Sequence, residues 1–262
     1  MIQERGILGR LFDLSGEVAL VTGAGRGFGR AFCSYLSQAG AVVAAADIEG
    51  EAAAATADQI IASGGQAIGL SLDVRSEASV TAAVTQVVQS LGSLTILVNN
   101  AGINTGNDTL PEELPLSTWD MVMATNVTGY FLLARAAMRP MAQAGRGRII
   151  NIASAAAARV PRLPGRHTTS YTVSKAAVIA LTRCLALEWA EHNIAVNSIS
   201  PTFSNTGLIR RDPTILDLMV ESSPFRRLGE VDDLAGLLIY LASHASEFTT
   251  GQDFLVDGGY SI

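Results

Sequence analysis

Tyr171 and Lys175 stand four apart in "TTSYTVSKAAV", where the pattern predicts the start of a helix. Residues four apart share one helix face, so the phenol and the ammonium can meet. A tyrosine hydroxyl ordinarily titrates near 10. An ammonium about 4 Å away, at an effective dielectric near 20, is worth roughly 4 kcal/mol. That is on the order of three pKa units. Such a phenol can exchange a proton with an alcohol near neutral pH, which is general acid–base catalysis worth roughly 10²–10⁴-fold. The same two residues also make an ordinary amphipathic helix edge, and their spacing does not choose between the readings.

A redox partner for that pair would need a binding site, and "VTGAGRGFGRA" offers one. Gly23, Gly27 and Gly29 fall between an apolar strand and a helix. Glycines there let the backbone turn sharply and approach a pyrophosphate seated on the free amides of the helix N-terminus. No Lys-Ser/Thr follows the last glycine, which argues against a nucleoside-triphosphate loop. Asp47 ends the second strand, 24 residues after Gly23. A carboxylate there accepts both hydroxyl hydrogens of an adenine ribose and repels a 2′-phosphate, so it favours NAD over NADP. Arg26, inside the loop, pulls toward a phosphate, while Ile48 rather than a second basic residue follows Asp47.

The elements that must position these groups follow from the apolar pattern. Strand-like runs cover 17–22, 41–47, 66–74, 94–100, 147–154, 194–200 and 253–259; helical patterns cover 29–40, 51–65, 77–92, 117–143, 169–191 and 230–243. Ser76 and Ser117 are expected as N-caps. Strands alternating with helices predict an α/β fold: a Rossmann-type, doubly wound parallel sheet of about seven strands, with helices on both faces. The whole of 1–262 reads as a single dinucleotide-binding and catalytic domain, with 1–14 an N-terminal extension. The irregular stretches 155–168 and 201–229 follow strand ends, where open α/β sheets bind ligands, and are the expected walls of a substrate site.

Bulk composition narrows the partners. The net charge is −6 without a basic block, which disfavours nucleic acid and anionic membranes. No apolar run approaches the roughly 18 residues of a membrane span, and the first residues lack a signal-peptide core. A cytoplasmic setting is expected. Cys33 and Cys184 read as isolated, buried small hydrophobes, and His167, His192 and His244 lack metal-ligand spacing, so no metal is expected. Charged residues make up 16% of the chain, against a usual share of about 25%. That shortage fits helix faces covered by further copies of the chain, a homo-oligomer.

Taken together, these motifs resemble the short-chain dehydrogenase/reductase family over about residues 15–260. "TGAGRGFG", with Gly23, Arg26, Gly27, Phe28 and Gly29, is similar to its cofactor loop. "DV", Asp73 and Val74, is similar to its adenine-contacting pair, and "NNAG", with Asn100, Ala101 and Gly102, to its fourth-strand motif. Asn126, Ser154, Tyr171 and Lys175 match its active-site Asn, Ser, Tyr and Lys. The resemblance implies that Tyr171 is the general acid/base and that Lys175 also binds the nicotinamide ribose. It further implies that Ser154 holds the substrate oxygen and that Asn126, in a helix kink, supports a proton-carrying water. Pro201 and Thr206 match positions near the nicotinamide. In this family the helix matching 117–143 pairs subunits into dimers and tetramers.

The chain also departs from the family. Ser154 and Tyr171 are 17 apart, a longer gap than the family commonly shows. The extra length, in 158–170, carries Arg159, Arg162, Arg166 and His167, and either shapes a pocket for a polar or anionic substrate or is a solvated rim insertion. Thr202 replaces a usual glycine, and Thr95 replaces a usual aspartate, which is expected to weaken a structural hydrogen bond. The segment 203–227 reads as a substrate lid. The leading expectation is an NAD-dependent oxidoreductase acting on a secondary alcohol or ketone: a polyol, sugar or sugar acid. The alternatives are an NADPH-dependent ketone or 3-oxoacyl-thioester reductase and a non-catalytic dinucleotide-binding sensor or scaffold.

Overall fold

The structure is a computed structural model that describes residues 6–105, 109–207 and 213–262. Residues 1–5 of the expected extension and 208–212 of the expected lid lie outside the described residues. In chain order the elements are α1 (Ile7–Leu11), β1 (Val18–Thr22), α2 (Gly27–Gln38), β2 (Val42–Asp47), α3 (Gly50–Ala62), β3 (Ala67–Ser71), α4 (Glu77–Leu91) and β4 (Ile96–Asn99). Then follow α5 (Leu116–Met123), α6 (Gly129–Gln143), β5 (Gly147–Ile152), α7 (Thr169–Trp189), β6 (Ile194–Pro201), β7 (Ser204–Asn205), α8 (Pro213–Glu221), β8 (Gly229–Glu230), α9 (Ala235–Ala242) and β9 (Asp253–Val256).

Seven strands form one parallel sheet in the order β3-β2-β1-β4-β5-β6-β9. Central strands such as β1, β4, β5 and β6 are buried throughout, as strands covered on both faces must be. Alternation along each strand divides the core. Val18 and Leu20 pack with Leu133, Ala137 and Met141 of α6 on one face. Ala19 and Val21 pack with Phe32 and Leu36 of α2 and Leu238 and Leu241 of α9 on the other. The strand order reverses between β1 and β4, which opens a ligand crevice at their C-terminal ends.

The structure sharpens several expectations. Ser76 caps α4 by accepting from Ser79 N at 3.3 Å. Ser117 caps nothing: α5 begins one residue earlier, after Pro115. The expected helix 117–143 is interrupted by a π turn over Ala124–Thr128. Thr95 keeps a structural bond here: its hydroxyl accepts from Val18 N at 3.1 Å and is buried. Cys33 is buried, but Cys184 is exposed on the outer face of α7. The pairing of β7, near the start of the expected lid, with β8, just past its end, was not foreseen.

Candidate active site

The glycine loop between β1 and α2 is braced on all sides. Gly23 and Gly27 take positive φ of 64° and 54°, which glycine adopts without strain. A Cβ on Gly29 would lie 2.0 Å from Gly23 O. Asn100 Nδ2 donates to Thr22 O at 2.8 Å and Gly23 O at 3.2 Å, and the Asn100 and Ala101 amides both donate to Thr22 Oγ1 at 3.0 Å. Asn100 and Ala101 therefore hold the loop in shape. Arg26 precedes α2 without capping it by its side chain, so the first-turn amides have no side-chain acceptor. Phe28, on the inner side of α2, stacks on Phe32.

The Asp47 carboxylate faces this loop, accepting from Gly25 N at 2.9 Å and from Glu49 N at 3.0 Å. Asp73 is gripped by the Arg75 fork at 2.9 and 2.8 Å, which holds its carboxyl below the ordinary carboxylate range. Val74 packs where a Cβ on Gly129 would sit, 2.9 Å away, fixing the turn after β3 against α6. A tight glycine turn, free helix amides and a carboxylate at the end of β2 fit an adenine dinucleotide.

Across the crevice lie the residues singled out for chemistry. Ser154 follows β5 and accepts from Ala156 N at 3.2 Å, capping a short helical turn over Ala155–Ala157. Tyr171 and Lys175 lie in the first two turns of α7. Asn126 sits in the π turn, fully buried. Its amide donates to Ile103 O at 2.9 Å and Ser174 Oγ at 3.0 Å and accepts from Ile103 N at 2.8 Å. Gly102 joins the two groups: a Cβ there would lie 3.3 Å from Asn126 Oδ1 and 3.5 Å from Lys175 Nζ.

The Tyr–Lys geometry differs from the spacing argument. Lys175 Nζ donates to Ile152 O at 2.7 Å and to Tyr130 Oη at 3.4 Å, and lies 5.7 Å from the Tyr171 ring centroid. Burial lowers the Lys175 pKa to about 7. Burial also raises the Tyr171 pKa, with the Ser154 hydroxyl working the other way. The lowered phenol expected from an ammonium at its side is therefore absent here. The ammonium is held on a backbone carbonyl, and desolvation outweighs it.

Tyr130, missed in the sequence, is fully buried on α6 and bonds Ile152 O at 3.2 Å. It stands four residues after Asn126, the same spacing that drew attention to Tyr171 and Lys175, and that was the available signal.

Pro201 ends β6, and Thr202 does not take a positive φ, which among the described non-glycine residues only Asn193 and Arg226 do. Thr206 follows β7, its amide donating to Ser204 O at 2.9 Å. The insertion turns back at Leu163–Arg166 and, with Phe203, α8 and Tyr260, encloses a cavity of about 480 Å³. Arg159 and Arg162 line it; His167 does not. Among the described residues, no cluster of His, Cys, Asp and Glu could hold a metal, and no helix is long and apolar enough to cross a membrane.

Comparison with known proteins agrees with this architecture. Residues 23–261 match the family described as Enoyl-(Acyl carrier protein) reductase. The chain is 38% identical over 253 residues to D-threitol dehydrogenase of Mycolicibacterium smegmatis, covering 96% of this chain and 95% of that protein. It is 36% identical to a 3-oxoacyl-[acyl-carrier-protein] reductase of Pseudomonas aeruginosa, covering 94% and 98%. Among solved structures it resembles a short-chain type dehydrogenase/reductase from Mycobacterium marinum (TM-score 0.91, 39% identity, 96% and 98% covered). It also resembles a gluconate 5-dehydrogenase from Burkholderia cenocepacia in complex with NADP and tartrate (TM-score 0.90, 35% identity, 97% and 98% covered).

Proposed function

The chain belongs to the short-chain dehydrogenase/reductase family, and from that premise we propose that it interconverts a secondary alcohol and a ketone with NAD, on a polyol, sugar or sugar acid. The observation carrying this reading is that Asn126 and Lys175 meet at Gly102, with the Ser154 hydroxyl on the Tyr171 phenol one turn before Lys175, beside the braced glycine loop. When bound, the nicotinamide supplies or accepts the hydride. Gly23, Gly27 and Gly29 would admit the pyrophosphate, and the α2 amides would hold it.

Tyr171 Oη takes the alcohol proton in oxidation and returns it to the forming alkoxide in reduction. Ser154 Oγ donates to the substrate oxygen and keeps it against Tyr171. Lys175 would hold the nicotinamide ribose, and its ammonium, 5.7 Å from the Tyr171 ring centroid, would favour the ionised phenol. Asn126 holds Ile103 and Ser174, and so holds the floor beneath Lys175. Pro201 and Thr206 would flank the nicotinamide end, and Phe203 with Leu218 and Ser222 of the segment after β6 would wall the substrate.

Asp47 supports NAD, since its carboxylate would repel a 2′-phosphate. The second reading, an NADPH-dependent ketone or 3-oxoacyl-thioester reductase, is favoured by Arg26 in the loop, by a relative named as a 3-oxoacyl-[acyl-carrier-protein] reductase and by a gluconate 5-dehydrogenase solved with NADP. Two exposed apolar faces support a homodimer or homotetramer: Leu116, Met121 and Phe131 on α5–α6, and Val173, Cys184 and Leu187 on α7. Two unpaired cysteines suit a cytoplasmic setting.

The test is a panel of polyols, sugar acids and 3-hydroxyacyl compounds, followed by nicotinamide absorbance with each cofactor. The expected result is kcat/KM at least about tenfold higher with NAD, a difference of ~1.4 kcal/mol. Asp47→Ser is expected to erase that preference. A comparable preference for NADP in the parent would overturn the role of Asp47.

A further inference from the structure

The cavity behind the insertion has a composition that a neutral polyol does not explain. It begins one turn beyond Ser154: Arg159 N closes on Ala155 O at 2.9 Å, and Ser154 caps that turn. Its opposite wall begins at Phe203, two residues past the end of β6. The cavity therefore lies between the segments that follow β5 and β6, at the C-terminal edge of the sheet. Arg159 and Arg162 line it with Leu163, Leu218, Phe203 and Tyr260. No acidic side chain lines it among the described residues, although the chain carries a net charge of −6.

The two arginines differ. Arg159 lies 4.9 Å from the Tyr260 ring centroid and donates to Tyr260 O, so its guanidinium is fixed in place. It still has further N–H donors, as a guanidinium carries five. Arg162 has no hydrogen-bond or ion-pair partner among the described residues. Phe203 packs edge-on against Tyr260 at 5.5 Å, giving an apolar floor. A polyol needs alternating donors and acceptors along its length. A cavity whose only charged lining groups among the described residues are two arginines, with Val160, Leu163, Phe203 and Leu218 apolar and Ser222 and Tyr260 its remaining polar side chains, instead suits a ligand with one terminal anion. A carboxylate matches the planar fork of an arginine in both charge and geometry.

We propose that the substrate is a hydroxy or oxo acid whose carboxylate is held by Arg162, in the field of the fixed Arg159, while Ser154 and Tyr171 hold the reacting oxygen. The proposal rests on the oxidoreductase reading and narrows it to acids over neutral polyols. It makes Arg162 a specificity-determining residue.

The experiment compares a six-carbon aldonate with the alditol of the same chain length, and a 3-oxoacyl thioester as a third arm. The parent is expected to favour the aldonate in kcat/KM. In Arg162→Gln the aldonate-to-alditol ratio is expected to fall about 10- to 100-fold, chiefly through KM, as loss of a charge-assisted hydrogen bond implies. Arg162→Lys, which keeps the charge and loses the fork, is expected to fall between the two. Aldonate binding by calorimetry is expected to weaken in parallel, a readout that needs no turnover. Preference of the parent for the alditol or the thioester would overturn the proposal. So would an Arg162→Gln protein whose ratio and aldonate affinity both match the parent. Arg162-dependent aldonate binding without turnover of any compound would sustain the anion pocket and overturn the oxidoreductase reading instead.

Discussion

The two rims of the crevice are built differently. On the cofactor side, after β1, β2 and β4, short turns are tied to one another by main-chain and amide hydrogen bonds, and Gly29 has no room for a single added carbon. On the substrate side, after β5 and β6, two long segments face each other across a cavity lined by exposed arginines and partly buried apolar groups. One rim is shaped for a ligand of fixed chemistry and tolerates no change. The other sets which substrate enters, through side chains that can vary without disturbing the sheet. Lys175 stands between them, anchored to β5 and α6.

The largest effect on cofactor binding is expected from breaking the tight rim. Gly29→Ala places a carbon within 2.0 Å of Gly23 O, which must move the loop. Cofactor affinity, read by NADH fluorescence, is expected to fall at least about 100-fold, or about 2.7 kcal/mol. Gly236→Ala, where nothing lies within 4 Å of the added carbon, is expected to bind as the parent does. Equal affinities in both variants would remove the claim that the glycine loop is a fitted cradle.

Next comes Lys175→Met, expected to lower turnover about 10²–10³-fold yet to stabilise the cofactor-free protein. Folding lowers the Lys175 pKa from 10.5 to about 7. Between those values the unfolded chain binds more protons, so this group's contribution to stability rises with pH across that window. At and below about pH 7 the buried ammonium costs on the order of 5 kcal/mol, and leaving Ile152 O without its donor takes back about 1–3 kcal/mol. Denaturant unfolding at pH 7 should show a more stable variant, with the gap shrinking toward pH 10. A variant less stable at every pH would mean that the ammonium is well solvated.

The smallest effect is expected at Tyr130. Tyr130→Phe removes one acceptor of the Lys175 ammonium. The Lys175 pKa then falls further below about 7, because only the Ile152 carbonyl still favours the charged form. Ketone reduction that needs the ammonium is lost as pH rises through that value. Its alkaline limb is therefore expected to shift lower by about half to one pH unit. An unmoved limb would make Tyr130 a packing residue only.

Much of this was legible from the chain itself. All seven sheet strands lie within the apolar runs that announced them, give or take a residue, because glycine and polar turns bound each run. The glycine loop and Asp47 were legible because they sit at strand ends, which a linear pattern locates well. The π turn at Asn126 leaves no mark in the apolar pattern, since one extra residue per turn does not show in a helix of mixed apolar residues; only the family resemblance, which implied a helix kink there, pointed to it. Tyr130 read as one more core aromatic. Cys184 read as buried because α7 is apolar on its outer face too. The pairing of β7 with β8 involves two residues on each side, too few to show a period. The arginines of the insertion were visible, but which of them line the cavity depends on a turn that only the folded chain defines.

The assignment of Tyr171 Oη as the proton-exchanging group is tested most directly by Tyr171→Phe, assayed for initial-rate alcohol oxidation at saturating cofactor, beside NADH binding. The expected result is a fall in kcat of about 10²–10⁴-fold with NADH affinity unchanged. A variant turning over at the parental rate would contradict it.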